Sequence, residues 1–225
     1  MGIHETGSAH QEVHMGVKER RARERAERRQ QILEAARQLF LDQGFDQASV
    51  EEIAEAAEVS KGLVYFYFRS KDEILAALVR ETYSPLLEAL HSLETQAAQN
   101  PEARLLDFLR LEISFYREHA RFFRLVASLV AGYEGLQIRP EYREVFVEAH
   151  HRELAVLEHI LQEGVHQGCF RRETPRFLSL FVVGPLHSLF LHATDLLETD
   201  PETLAQRMGT LVLRGLKQED SPCSG

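Results

Sequence analysis

Between Ser49 and Ser70 the chain opens three helices in succession, and this punctuation constrains the fold more than any other feature. "SVEE" from Ser49 and "SKDE" from Ser70 are capping boxes, in which the serine and the glutamate three residues on satisfy each other's free backbone amides. Ser60 is placed to cap a helix between them. Val64, Tyr65, Phe66, Tyr67 and Phe68 are all β-branched or aromatic and read alone as a strand, but strand propensity is decided by context. Enclosed by two caps, with too little chain on either side for a hairpin partner, the run must form a helix of about two turns.

Its neighbours give it a face. Upstream, "ILEAARQLFLDQ" places Ile32, Ala36, Leu39 and Phe40 on one side of a helix that Gly44 ends. The short helix after Ser49 has a small-residue side, Ile53, Ala54 and Ala57, that another helix can approach closely. In the aromatic helix Val64 and Phe68 point towards that side, while Gly62 and Phe66 point away, flanked by Lys61 and Tyr65. Two short helices joined by a tight turn, the second showing a lysine, a glycine and aromatics to solvent, have the shape of a helix-turn-helix.

The formal charge of −9 argues against a protein that coats nucleic acid, yet it is unevenly placed. Residues 16–71 carry eleven basic and ten acidic side chains, and 72–225 carry fifteen and twenty-three. Lys18, Arg20, Arg21, Arg23, Arg25, Arg28 and Arg29 face only Glu19, Glu24 and Glu27. On charge alone this segment is either a phosphate footprint or a solvated helix laced by i,i+4 pairs. No export signal opens the chain, and Pro185, His187, His192 and Asp195 interrupt the apolar run 177–197, so a cytoplasmic protein with no membrane span is expected. Cys169 and Cys223 are too few for a metal knuckle or a disulfide framework.

Residues 28–75, with "ILEAARQLFLDQGFDQA" followed by "SVEEIAEAAEVSKGLVYFYFRSKDEIL", resemble the DNA-binding domain of the TetR family of transcriptional regulators. The resemblance implies that the helix after Ser60 enters the major groove with Lys61, Gly62, Leu63 and Tyr65 nearest the bases. Lysine can donate to guanine O6 and N7, and a glycine lets the backbone come close. It further implies phosphate contacts from Ser49, Tyr67 and Lys71, and backbone or minor-groove contacts from arginines ahead of Ile32 such as Arg28. Two positions depart from the family pattern. Glu58 stands where a turn glycine is usual, and Leu63 replaces a small polar residue, offering a thymine methyl contact instead of a hydrogen bond.

Beyond residue 75 the helix signals continue: Asn100-Pro101, Thr174-Pro175 and Asp200-Pro201 open helices, and Gly168 closes a long one. The expected fold is therefore all-α. Residues 1–17 are read as a disordered extension, 18–75 as the three-helix DNA-binding domain, and 76–225 as the ligand-binding and dimerisation domain that the resemblance implies. Phe108, Phe115, Tyr116, Phe123, Tyr133, Phe146 and His150 are the candidates to line an apolar chamber. Phe181, Leu186, Leu189, Phe190 and Leu211, on the last two helices, are the candidates for the dimer face. The implied function is a homodimeric repressor on a palindromic operator, released by a small hydrophobic ligand. No cofactor, metal or enzymatic activity is expected.

Two alternatives stand beside it: a DNA-binding regulator controlled by a protein partner, and a di-metal helical-bundle enzyme. The second draws on Glu-x-x-His at Glu88/His91, Glu148/His151 and Glu163/His166. The last two pairs lie fifteen residues apart on one helix, roughly 22 Å, and cannot share a site within one subunit.

Overall fold

The computed structural model describes residues 6–95, 100–131, 140–192 and 198–217. They form nine α-helices: α1 (Thr6–Gln43), α2 (Val50–Ala56), α3 (Lys61–Tyr67), α4 (Lys71–Thr95), α5 (Pro101–Glu118), α6 (Ala120–Ala131), α7 (Pro140–His166), α8 (Pro175–His192) and α9 (Pro201–Leu216). The only strand-like pairing among the described residues is an antiparallel bridge between Phe170 and Lys217. The helix boundaries follow the capping chemistry. Asn100 accepts the Ala103 amide at 2.8 Å and Asp200 accepts the Thr203 amide at 3.0 Å, each ahead of a proline in the first turn. Gly44 and Gly168 adopt φ of +90° and +74° just beyond α1 and α7, the left-handed conformation that stops a helix.

One boundary differs from expectation. α1 begins at Thr6, inside the stretch read as a disordered extension. No proline lies between Thr6 and Gln43, so nothing in the backbone interrupts the hydrogen-bond ladder once the helix has formed.

The chain divides into two compact units, 1–77 and 78–225. In the first, α1 packs on α2 and α2 on α3. Ile32, Leu33, Ala36 and Phe40 of α1 are buried with Ile53, Val64, Phe68 and Ile74, and Phe40 meets Phe45 edge-on at 5.2 Å. In the second unit α5 packs against α7 and α9, and α7 against α8. Two glycines permit the close approaches. A Cβ on Gly209 would stand 2.1 Å from Leu106, and one on Gly164 would stand 2.0 Å from the Phe170 ring. Arg104, 1% exposed, is paired with Glu163 and donates to the Leu93 carbonyl at 3.1 Å, so its buried charge is compensated. Cys169 is buried. Cys223 lies outside the described residues. Among the described residues no helix is long and apolar enough to cross a membrane.

Candidate DNA-binding face and ligand chamber

The helix-turn-helix is built from its caps. The Ser49 hydroxyl accepts the Glu52 amide at 3.2 Å while Glu52 accepts the Ser49 amide at 2.8 Å, completing the capping box. Ser60 accepts the Leu63 amide at 3.2 Å and opens α3. The intervening turn passes through Glu58 at φ +55°, the left-handed conformation for which glycine is better suited. It is closed by the Val59 amide donating to the Ala54 carbonyl at 2.9 Å.

The solvent side of α3 carries Lys61, Gly62, Tyr65 (48% exposed) and Phe66 (64% exposed), while Val64 and Phe68 are buried. Leu63 and Tyr67 are half-buried at the edges of that face. The Lys61 ammonium is paired with the Glu51 carboxylate and lies 5.8 Å from the centre of the Tyr65 ring. The hydrogen bond from Lys61 holds Glu51 below its ordinary pKa, and the same bond raises that of Lys61. Exposed Arg28 donates to Gln31 at 3.1 Å, and Arg20 and Arg23 pair with Glu24 and Glu27 four residues on.

Lys71 is placed differently from a solvent-facing phosphate ligand. Its ammonium donates to the backbone carbonyls of Phe45 at 2.5 Å, Ala48 at 2.8 Å and Asp46 at 3.2 Å, and stands over the Phe45 ring at 4.5 Å. All three of its donors are used inside the protein. Burial lowers its pKa against the opposing pull of Asp46, Asp72 and Glu52. It fastens the connection between α1 and α2. Ser49, likewise, spends its hydroxyl on the cap, also donating to Glu52 at 2.7 Å.

In the second unit a chamber of about 310 Å³ is lined by Tyr83, Tyr116, Phe123, Val126, Val147, His150, Glu153, His187 and Leu191, among others. A second, more polar pocket of about 440 Å³, bordered by Glu88, His91, Glu94 and Arg152, lies elsewhere on the unit. Of the residues expected to line a chamber, Tyr116, Phe123 and His150 do so. Phe108 is fully buried in solid core and Phe115 is buried behind, edge-on to Tyr116 at 5.2 Å, so neither borders the space. Tyr133 lies outside the described residues, as does the side chain of Phe146. Tyr116 stacks on Phe190 at 4.8 Å and meets Phe123 at 4.3 Å.

The polar end of the chamber is where α7 and α8 bring His150, Glu153 and His187 together. Glu153, 1% exposed, has His187 Nε2 at 3.2 Å from Oε1 and His150 Nδ1 at 3.6 Å from Oε2. The Tyr116 hydroxyl lies 3.0 Å from His187 Nε2 and 3.4 Å from Glu153 Oε2. Burial opposes the charge on Glu153, but the two histidine contacts outweigh it and its pKa lies below the ordinary value. Glu112, fully buried, is pushed well above its ordinary value by burial and then by the charge of Glu153, which favours its protonated form.

The dimer-face candidates divide in the same way. Leu186 and Phe190 are completely buried within the chain, which removes them from any contact with a partner, and Leu189 is half-buried. Phe181 and Leu211 are 52% and 71% exposed, joined by Phe177 and Leu180. Phe177, Leu180, Phe181 and Gly184 recur at the spacing of one helix face, and the Phe181 ring lies close to Gly215 of α9.

A model of bacterial regulatory proteins of the tetR family matches residues 32–78, and one of tetracyclin repressor-like C-terminal domains matches 98–216, more than half of the chain. The chain belongs to the TetR family. It is 28% identical over 153 residues to the HTH-type transcriptional repressor NicS of Pseudomonas putida, a span of 67% of this chain and 69% of that one. It is also 28% identical over 138 residues to the fatty acid metabolism regulator protein of Bacillus subtilis, covering 61% and 68% of the two chains. The structure superposes on the fatty acid degradation regulator FadR of Bacillus halodurans with a TM-score of 0.69 at 25% identity, over 84% of this chain and 95% of that one.

Membership of the TetR family makes the protein a DNA-binding transcription regulator rather than an enzyme, and the Glu-x-x-His pairs of the rival reading are dispersed. His91 pairs with Glu94, Glu148 with Arg152 and Glu163 with Arg104. No local sequence signal marks Glu112, Glu153 or His187 as residues of a site. His187 is thirty-four positions beyond Glu153 on another helix, and only the packing of α8 on α7 joins them.

Proposed function

We propose that the protein represses transcription as a homodimer on a palindromic operator, and that a small hydrophobic ligand in the chamber of the second unit lowers its affinity for that operator. The observation that carries the DNA half is the solvent side of α3. Lys61, Gly62 and Tyr65 stand together on it, the glycine bringing the backbone within reach of base edges and the lysine supplying donors. Before it can reach a base, Lys61 must exchange Glu51 for a nucleic-acid acceptor. Tyr67, at the edge of this face, and the exposed Arg28 of α1 serve the phosphates. Twofold protein symmetry demands twofold symmetry in the site, with half-site centres about 34 Å apart or a multiple of it.

Phe177, Leu180, Phe181 and Leu211 form the apolar patch for the second subunit. The chamber supports the ligand half, with rings and aliphatic side chains around a polar end. Relatives that regulate fatty acid metabolism make an acyl-type ligand the first to try. Release requires that the ligand bind the DNA-incompetent dimer more tightly; a coupling of about 1 to 3 kcal/mol is usual, about 5- to 150-fold in affinity.

The test is operator binding by fluorescence anisotropy with fatty acids and acyl thioesters of graded chain length. A rise in operator Kd of that size with one ligand class supports the proposal. Unchanged affinity across a broad hydrophobic library would favour control by a protein partner.

A further inference from the structure

We propose that His150, Glu153 and His187 bind one divalent transition-metal ion of the zinc class at the polar end of the chamber. Two imidazole nitrogens and one carboxylate oxygen are a common donor set for such an ion, and three protein ligands leave a further position open. The spacing fits. With metal–ligand bonds of about 2.0 to 2.1 Å, the edge of a coordination tetrahedron is about 3.3 to 3.4 Å. His187 Nε2 lies 3.2 Å from Oε1 of Glu153 and His150 Nδ1 lies 3.6 Å from its Oε2, and one donor atom from each of the three residues lies within 4.8 Å of the others, a spread that a turn of the imidazoles closes onto one oxygen.

The residues come from rigid elements. His150 and Glu153 share one face of α7 at i,i+3 spacing, and α8, packed on α7, supplies His187. Glu153 is held by the fold, whereas the two histidines are partly exposed, at 43% and 22% of their side chains, and can turn to close the remaining gap.

An independent observation points to an ion. Glu153 Oε1 is buried and has no hydrogen-bond partner among the described residues. The His187 nitrogen 3.2 Å away is not aligned to donate to it. Native proteins satisfy nearly all such atoms. A cation between Oε1 and the two imidazoles would do so, and the Tyr116 hydroxyl, 3.4 Å from Oε2, would then donate to the ligating carboxylate from outside the coordination sphere. The open position faces the chamber, flanked by Phe123 and Leu191, and takes water when no organic ligand is present.

The proposal uses the walls of the chamber and not its organic ligand, so metal uptake is measured on the full-length protein without DNA or effector. The protein is stripped with a chelator and titrated with Co²⁺ by visible absorption and with Zn²⁺ by calorimetry. The chain holds eleven histidines, so the triad's share is read as the difference between wild type and variants. Wild type should take up one equivalent with the intense visible bands of a low-symmetry cobalt site. It should also gain thermal stability with added Zn²⁺ by mass action. His150→Ala and His187→Ala should each weaken that uptake by about 100-fold or more and abolish the zinc-dependent gain. His151→Ala, exposed on the neighbouring face, should change neither. If His150→Ala, folded by circular dichroism, bound Co²⁺ with the same stoichiometry, affinity and spectrum as wild type, the assignment would be wrong. It would equally be wrong if wild type took up no metal beyond the level of both variants, leaving the cluster a hydrogen-bonded ion network.

Discussion

Replacing Leu211 by alanine should separate the subunits while leaving each chain folded. Leu211 is 71% exposed on α9, so most of its side chain contributes nothing to its own chain and is available to a partner. Leucine to alanine removes three carbons at about 0.8 kcal/mol each, and the exposed share of that total is about 1.7 kcal/mol per copy. A twofold interface uses the residue once from each side, so the dimer loses about 3.4 kcal/mol, a roughly 300-fold rise in its dissociation constant. The buried remainder costs the chain only about 0.7 kcal/mol, and alanine's better helix propensity offsets part of it. Sedimentation equilibrium of labelled protein from nanomolar to micromolar concentration measures the first number, and thermal unfolding of the separated chain the second. A dissociation constant changed by less than about threefold would refute the placement of Leu211 in the dimer face. A collapse of thermal stability would show that the side chain is instead needed by its own fold.

The two lysines of the DNA-binding unit should fail differently. Lys61→Ala should lower operator affinity about 5- to 150-fold and relax preference at one base pair, with stability unchanged; binding isotherms on the operator and a scrambled duplex check it. Lys71→Ala should cost about 1 to 3 kcal/mol of stability in denaturant unfolding, because it strips donors from three carbonyls of the α1–α2 connection. A third expectation concerns pH. Glu112 keeps a proton in the folded chain that the unfolded chain releases above about pH 4.3, so wild-type stability is lost as pH rises from there towards its raised folded value. Glu112→Gln removes that loss, and in chelator-treated protein its melting temperature relative to wild type should climb between pH 5 and pH 8; a constant difference would show that Glu112 ionises normally.

Much of the first unit could be read before any coordinates, because its chemistry is local. Ser49, Ser60 and Ser70 cap helices by accepting amides three residues on, and sequence spacing alone reports such bonds. The burial of Val64 and Phe68 and the exposure of Tyr65 and Phe66 likewise follow from helical period once α3 is recognised. Lys71 shows where that logic stops. Its position at a helix start invites an anion, and only the fold reveals that the 45–48 turn occupies its three donors. In the second unit the deciding contacts are long-range. Leu186, Leu189 and Phe190 share composition with Phe181 and Leu211, and nothing local separates a residue packed against α5 or α7 from one left on the surface. The histidine–glutamate cluster was hidden for the same reason, with the added difficulty that its local half runs His-x-x-Glu rather than the Glu-x-x-His order that attracts attention.

In the proposed function a symmetric pair of chains reads DNA through the exposed side of α3. The decisive experiment is selection of binding sites from a pool of random duplexes by the purified protein, with sequencing of what is retained. One inverted repeat should be enriched, retained as two chains per half-site pair or a multiple of that, with no enrichment by a Gly62→Glu variant, whose side chain would stand where the backbone must approach the groove. Enrichment of a site without twofold symmetry, or of the same site by the Gly62→Glu variant, would contradict it.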